Sequence, residues 1–188
     1  MEASDWELVQ RTRRGDHGAF RVLVERYQRR IAALALGMVR NRDDALDIAQ
    51  DTFTKVYQHL DRFKGDSAFY TWLYRIAVNL CMDHRRRTTK QAEVSLETDE
   101  RAEGPLPVPD GPRPDQPFER ARDAEIARRV RVAMRELTPE HRAVILLREV
   151  EGLSYAEISE VLDCPKGTVM SRLHYARRQM QVRLRELL

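Results

Sequence analysis

Ser154-Tyr-Ala-Glu-Ile-Ser-Glu-Val-Leu-Asp-Cys-Pro-Lys-Gly-Thr-Val169 carries two helix starts and one sharp stop within sixteen residues. Ser154 and Glu157 have the spacing of a capping box, in which the Ser side chain accepts from the Glu amide and Glu reaches back to the Ser amide. A helix therefore begins there and runs to Leu162. Asp163-Cys164 makes a tight turn, because Asp tolerates the left-handed conformation better than most residues, and Pro165 suits the first turn of a new helix running from about Lys166 towards Leu187. Two helices joined by so short a turn form a helix-turn-helix, whose second helix enters the major groove. Just upstream, Thr138-Pro139 reads as an N-cap and first turn, opening a helix that stops before Gly152 with Val144, Leu147 and Val150 facing inward.

The second helix of the pair is basic. From Pro165 to Arg185 it carries Lys166, Arg172, Arg177, Arg178, Arg183 and Arg185 and no acid. With Val169 and Leu173 turned to the core, Thr168, Ser171, Arg172 and Tyr175 point outward, where side chains reach base edges or phosphates. A solvated basic helix would show the same charges; the capped, turn-linked geometry favours DNA.

Upstream of this unit, six of the eight prolines fall between Pro105 and Pro117, a composition that holds neither helix nor central strand. It divides the chain into residues 1–87, a linker 88–122 and residues 123–188, with formal charges of +4, −3 and +2. Outside the linker apolar residues recur at three and four, so both flanking units are expected to be all-α. Gly15, Gly65 and Gly152 mark loops between helices.

In the first unit, Arg42 to Leu60 reads as one helix with an apolar stripe of Ile48 or Ala49, Phe53, Val56, Tyr57 and Leu60. A second stripe, Asp44, Asp47 and Asp51, sets like charges on one face at a cost of a few tenths of a kcal/mol per pair. It suits either a solvated surface or a docking face for a basic protein. Next, Phe63, Phe69, Tyr70, Trp72 and Tyr74 place five of thirteen aromatics within twelve residues, followed by Arg75, Asn79 and His84-Arg-Arg-Arg87. Aromatic faces beside cations make a stacking platform for single-stranded bases, at about 1–3 kcal/mol per stacked base. Trp72, Ile76 and Leu80 also form a packing stripe, so some of these rings belong to the core. Asn79, one turn after Arg75, is placed to hydrogen-bond an unstacked base.

Other classes of function find little support. No apolar run approaches the length of a membrane span, and the first residues, Met-Glu-Ala-Ser-Asp-Trp-Glu7, lack the basic start and apolar core of a signal peptide, so a cytoplasmic protein without membrane insertion is expected. Cys81 and Cys164 stand far apart, indicating neither disulfide nor zinc site, and no other metal or cofactor is called for. The histidines, His17, His59, His84, His141 and His174, are scattered, and no nucleophile set or phosphate-cradling loop accompanies them, so no enzyme and no catalytic residue is expected. A free-standing repressor or activator is the main alternative, although it leaves the aromatic and basic platform without a task.

Taken together, Arg14-Gly-Asp16 with Ala19-Phe20, Tyr27-Gln28, Asp44 to Phe53, Phe63 to Asn79, Leu137-Thr-Pro-Glu140, Glu151-Gly-Leu-Ser-Tyr-Ala-Glu-Ile158 and Asp163 to Val169 resemble, in order, the group IV or extracytoplasmic-function sigma factors, especially their RpoE-like envelope-stress branch. The resemblance covers nearly the whole chain outside the linker. It implies two small helical domains: sigma region 2 over 1–87 and a region 4 helix-turn-helix over 123–188. It further implies that Asp44, Asp47, Gln50, Asp51 and Phe53 dock on the β′ clamp helices of core RNA polymerase. The −10 element would be melted and a flipped base held by Phe63, Lys64, Gly65, Asp66, Ser67, Ala68, Tyr70, Trp72, Arg75, Asn79 and Arg86. Lys166, Thr168, Met170, Ser171, Arg172, His174, Tyr175 and Arg178 would read the −35 element as duplex, region 4 would also meet the β flap, and the linker would thread the RNA exit path. An anti-sigma factor, membrane-linked, would hold the free protein inactive. Elements about 17 base pairs apart are separated by roughly 60 Å, within the roughly 120 Å an extended linker of this length reaches. Met170, His174, Tyr175, the heavy run Arg85 to Arg87, and Ser159 in place of the usual Ala depart from the family pattern, so the promoter sequence is not copied from relatives.

Overall fold

All regular structure among the described residues is helical. The computed structural model describes residues 3–94 and 117–186. Its α-helices are α1 (Asp5–Arg13), α2 (His17–Val39), α3 (Arg42–Gln58), α4 (Phe69–Val94), α5 (Pro117–Arg135), α6 (Pro139–Ile145), α7 (Tyr155–Leu162) and α8 (Lys166–Glu186). Short polar residues fix most starts by accepting from otherwise unpaired first-turn amides. Ser4 takes the Glu7 amide, Asp16 the Ala19 amide, Asn41 those of Asp43 and Asp44, and Thr138 that of His141. Both halves of the Ser154/Glu157 capping box are present, and Asp163 closes α7 in the left-handed region at φ 48°. The helix-turn-helix is thus built as its sequence indicates.

Helices α1 to α4 pack around α2, which touches each of the other three. Helix α8 anchors the second unit against α5, α6 and α7. Buried side chains of the two units form one continuous apolar cluster, from Leu8 to Ala176.

Several boundaries differ from the sequence reading. Helix α3 ends at Gln58, and Leu60 is buried in a separate 3₁₀ turn, Leu60–Arg62. Tyr57 is exposed rather than part of the packed stripe. Helix α4 continues to Val94 and α5 starts at Pro117, whose ring is tolerated in a first helical turn, so both edges of the expected linker are helical. Pro105, Pro107, Pro109, Pro112 and Pro114 lie outside the described residues.

The helix after Thr138 changes character midway. At Leu146–Val150 it passes into a π-turn, with Glu151 N–H donating to Leu146 O at 3.0 Å. A π-turn inserts an extra residue and rotates the side chains beyond it around the helix axis. Val150, expected inside, is therefore 45% exposed, while Leu146 turns in and seats against Gly37 of α2.

That contact is one of several joining the units. Arg142, with 1% of its surface exposed, donates to Met38 O at the end of α2 (2.9 Å), and also to Met134 O, Arg135 O and Leu137 O around the end of α5. The guanidinium thus neutralises the partial negative charge at two helix C-termini. Burial, then the nearby Arg85 and Arg40, push its pKa down to about 9.

Cys81 sits in the core of α4, and burial pushes its thiol up to about 12. The thiolate is the reactive species. At pH 8 iodoacetamide is therefore expected to spare Cys81 in the folded chain and to alkylate it fully in guanidinium, read by mass spectrometry.

Candidate polymerase and nucleic-acid interfaces

The acidic stripe of α3 lies on the helix that forms one wall of a groove. Asp47, Gln50 and Asp51 are exposed, and Asp44 is half-buried with an oxygen 3.2 Å from His84 Nε2 on α4. Beside them α2 and α3 enclose a groove of about 620 Å³ lined by Phe20, Val24, Gln28, Gln50, Phe53, Thr54, Tyr57 and Gln58. Phe53, expected at the docking surface, is only 8% exposed and serves as the floor of this groove. An apolar trough with an acidic rim suits an amphipathic partner helix with basic flanks. His84 and Tyr57 were not singled out by the acidic-stripe reading; His84 becomes relevant only because α4 crosses α3.

The aromatic run divides between core and surface. Phe63, at 5% exposure, stacks on Trp72 (centroids 5.2 Å, planes 28° apart) and meets Phe69 and Trp6 edge-on. In this structure its ring is packed against these neighbours, and it ties the loop after the 3₁₀ turn to the body. Phe69 and Tyr74 are buried as well. Lys64, Gly65, Asp66 and Ala68 are exposed and Ser67 half-buried, so the loop itself is presented.

Two residues of α1 hold that loop. Arg13 donates to Leu60 O at 2.7 Å and to Phe63 O, and its guanidinium lies 5.8 Å from the Trp6 ring. Gly65 is left-handed at φ 83°, and a Cβ there would lie 2.8 Å from Trp6 Cζ3, so two independent reasons require glycine. No pattern near Arg13 or Trp6 marks them as loop supports; they act through contacts distant in sequence.

Trp72 is half-buried and Arg75, Asn79 and Arg86 are exposed, at spacings of three, four and seven that set them on one stripe of α4. Arg86 pairs with Asp83. Tyr70 does not join this stripe. It lies round the helix towards the second unit, where its hydroxyl donates to Glu157. That bond raises the Tyr70 pKa and lowers that of Glu157.

On α8, Val169, Leu173 and Ala176 are buried and the opposite face is presented. Lys166, Met170 (56% exposed), Ser171, His174, Tyr175 and Arg178 are exposed, while Thr168 and Arg172 are half-buried. Two of its cations serve intramolecular pairs: Arg177 with Glu149 at 2.6 Å and Arg183 with Glu136 at 3.2 Å. His141 packs on Tyr175 with centroids 4.6 Å apart, and Gln179 Nε2 donates to the Tyr175 hydroxyl at 3.0 Å, fixing that ring. Ser159 uses its extra atom, donating to Cys164 O at 2.6 Å and bracing the turn before α8. No helix among the described residues is long and apolar enough to cross a membrane.

Comparison with known proteins agrees with this geometry. Residues 23–91 match the family model described as Sigma-70 region 2, and residues 127–180 the one described as Sigma-70, region 4. The RNA polymerase sigma-H factor of Pseudomonas aeruginosa is 41% identical over 190 residues, 100% of this chain and 97% of its own. The ECF RNA polymerase sigma-E factor of Haemophilus influenzae is 37% identical over 190 residues, 100% of this chain and 98% of its own. In fold, the chain is similar to the sigma factor RpoE of Bartonella quintana, solved in complex with the anti-sigma factor NepR, with a TM-score of 0.70 and 24% identity over 88% of this chain and 96% of that one. The chain belongs to the extracytoplasmic-function group of the sigma-70 family, transcription initiation factors that work with RNA polymerase.

Proposed function

We propose that the two units divide promoter recognition between them. Asp44, Asp47, Gln50 and Asp51, with the groove floored by Phe53, dock on the basic β′ clamp helices of core polymerase. The loop Lys64 to Ala68 and the α4 stripe Trp72, Arg75, Asn79 and Arg86 open the −10 element and hold its unpaired strand. The outward face of α8, from Lys166 to Arg178, reads the −35 element as duplex, and the same unit meets the β flap. Residues 88–122 connect the two along the RNA exit path. The chain has no chemistry of its own; the polymerase makes every bond, in the cytoplasm. The RpoE of Bartonella quintana was solved with an anti-sigma factor, and a comparable factor controls this chain, the apolar groove with its acidic rim offering it a seat. Recovery of the chain from unstressed cells on polymerase alone, with no other protein, would contradict that control.

The observation that carries this reading is the stripe of one half-buried indole, two arginines and an asparagine on α4 in the same chain as a capped helix-turn-helix. A duplex-binding repressor has no use for the first. Replacing Trp72 by Ala is expected to lower open-complex formation by about tenfold or more, as for the loss of one stacked base. Permanganate reactivity of −10 thymines measures this, with −35 duplex affinity unchanged in the same variant. Equal loss of both activities would oppose the division.

A further inference from the structure

Met170, at 56% exposure, is the most exposed large apolar side chain among the described residues. A lone apolar residue on a protein surface is ordinary. This one stands in the first half of α8, which the −35 assignment lays in the major groove, on a stripe with the exposed Lys166 and His174 at spacings of four. Val169, Leu173 and Ala176 hold the core side of the helix, so folding of the unit leaves the Met170 side chain outside.

The polar groups around it are already engaged. Arg172 is half-buried and directed back at the turn, its Nη1 3.9 Å from Cys164 Sγ, and Arg177 pairs with Glu149 at 2.6 Å. The Ser171 hydroxyl donates to Thr168 O at 3.0 Å, and the Tyr175 hydroxyl accepts from Gln179. Guanine is most often read by a bidentate arginine or lysine, and adenine by an asparagine or glutamine. Residues 167–177 contain no lysine, asparagine or glutamine, and their two arginines are those just described. The middle of the reading face therefore meets the groove with a thioether and an imidazole. In the major groove the apolar group on offer is the C5 methyl of thymine. The Met side chain is unbranched and polarisable and adapts its torsions to such a contact. Cytosine in the same place brings an N4 amino group, which a thioether, a weak acceptor, leaves unsatisfied.

We infer that Met170 is a specificity-determining residue: its thioether packs on the methyl group of a thymine in the −35 element, and Lys166 and Arg178, about one turn before it and two turns after, hold flanking phosphates. This rests on α8 being the −35 reader.

The test removes the methyl and nothing else. Core polymerase loaded with the full chain selects its −35 sequence from a promoter library. Each thymine of that element, on either strand, is then replaced singly by uracil, which keeps the hydrogen-bonding edges and lacks only the methyl, and holoenzyme binding is measured by competition. One thymine, or two adjacent ones, is expected to bind about fourfold more weakly as uracil, the loss for one methyl-sized group withdrawn from apolar contact. Met170→Ala is expected to bind the thymine promoter severalfold more weakly and to be indifferent to the same replacement. Lys166→Ala/Arg178→Ala is expected to weaken binding of both promoters alike and to keep the fourfold difference between them. A −35 element of G·C pairs alone, uracil tolerated at every position, or a methyl that counts as much for Met170→Ala as for the parent would each overturn the inference. In those cases weaker binding by Lys166→Ala/Arg178→Ala would still leave α8 as the reader, whereas no loss in any α8 variant would strike that assignment as well.

Discussion

Replacing Arg142 by Ala is expected to lower the thermal midpoint of the chain by roughly 10 °C. The guanidinium is almost fully buried and donates to four backbone carbonyls, those of Met38, Met134, Arg135 and Leu137. These carbonyls lie at or just beyond the ends of α2 and α5, where the regular helical ladder has ended. Burying a cation is costly, as its lowered pKa records, but the two helix C-termini offset that cost through charge as well as hydrogen bonds. Removing the side chain leaves a cavity, takes from these carbonyls their charged donor, and leaves Met38 O only a long bond from Arg85 and Met134 O only the Leu137 amide, for a loss of about 3–5 kcal/mol. At about 2–4 °C per kcal/mol for a chain of this size, that gives the stated shift. Lys at 142 keeps the charge but has three donors on one nitrogen in place of a planar fork, so most of the loss persists. A midpoint within about 3 °C of the parent for Arg142→Ala, followed by circular dichroism, would contradict this account of the junction.

The double variant Asp47→Arg/Asp51→Arg is expected to bind core polymerase roughly 100-fold more weakly, because it sets cations on the rim of the α3 groove against a basic partner, and like-charge juxtaposition costs several kcal/mol. Both side chains are exposed, so the fold tolerates the change. Binding to a −35 duplex is expected to remain within about twofold of the parent, as α8 is untouched. Fluorescence anisotropy with labelled chain measures both. Equal loss of polymerase and duplex binding would mean that the acidic stripe supports the fold rather than the docking.

How much of this was legible in the sequence depends on how local each feature is. The helix-turn-helix could be read because its determinants lie within sixteen residues: the Ser154/Glu157 box, the left-handed Asp163 and Pro165. The acidic stripe could be read because Asp44, Asp47 and Asp51 share one helix face. Partition of the aromatics could not, since Phe63 and Trp72 differ in exposure only through what α1 and the core place against them. The π-turn that ejects Val150 begins at Leu146, which seats against Gly37, far away in the chain. Arg142 looks like any surface arginine of an amphipathic helix, and nothing around it announces two helix ends to be capped. The contact between the units lies beyond sequence reading altogether, because a linker long enough to separate them also lets them close.

On the proposed division of labour, this chain gives RNA polymerase its promoter choice through two separate readers. The most direct measurement is in vitro transcription with purified core polymerase and a promoter library, with and without the chain, mapping start sites by sequencing. Transcripts are expected only in its presence, from promoters sharing two upstream elements, with Trp72→Ala reducing initiation without changing the preferred −35 sequence. Binding of the chain to duplex DNA with no core-dependent initiation from any promoter would contradict it and favour a free-standing repressor or activator.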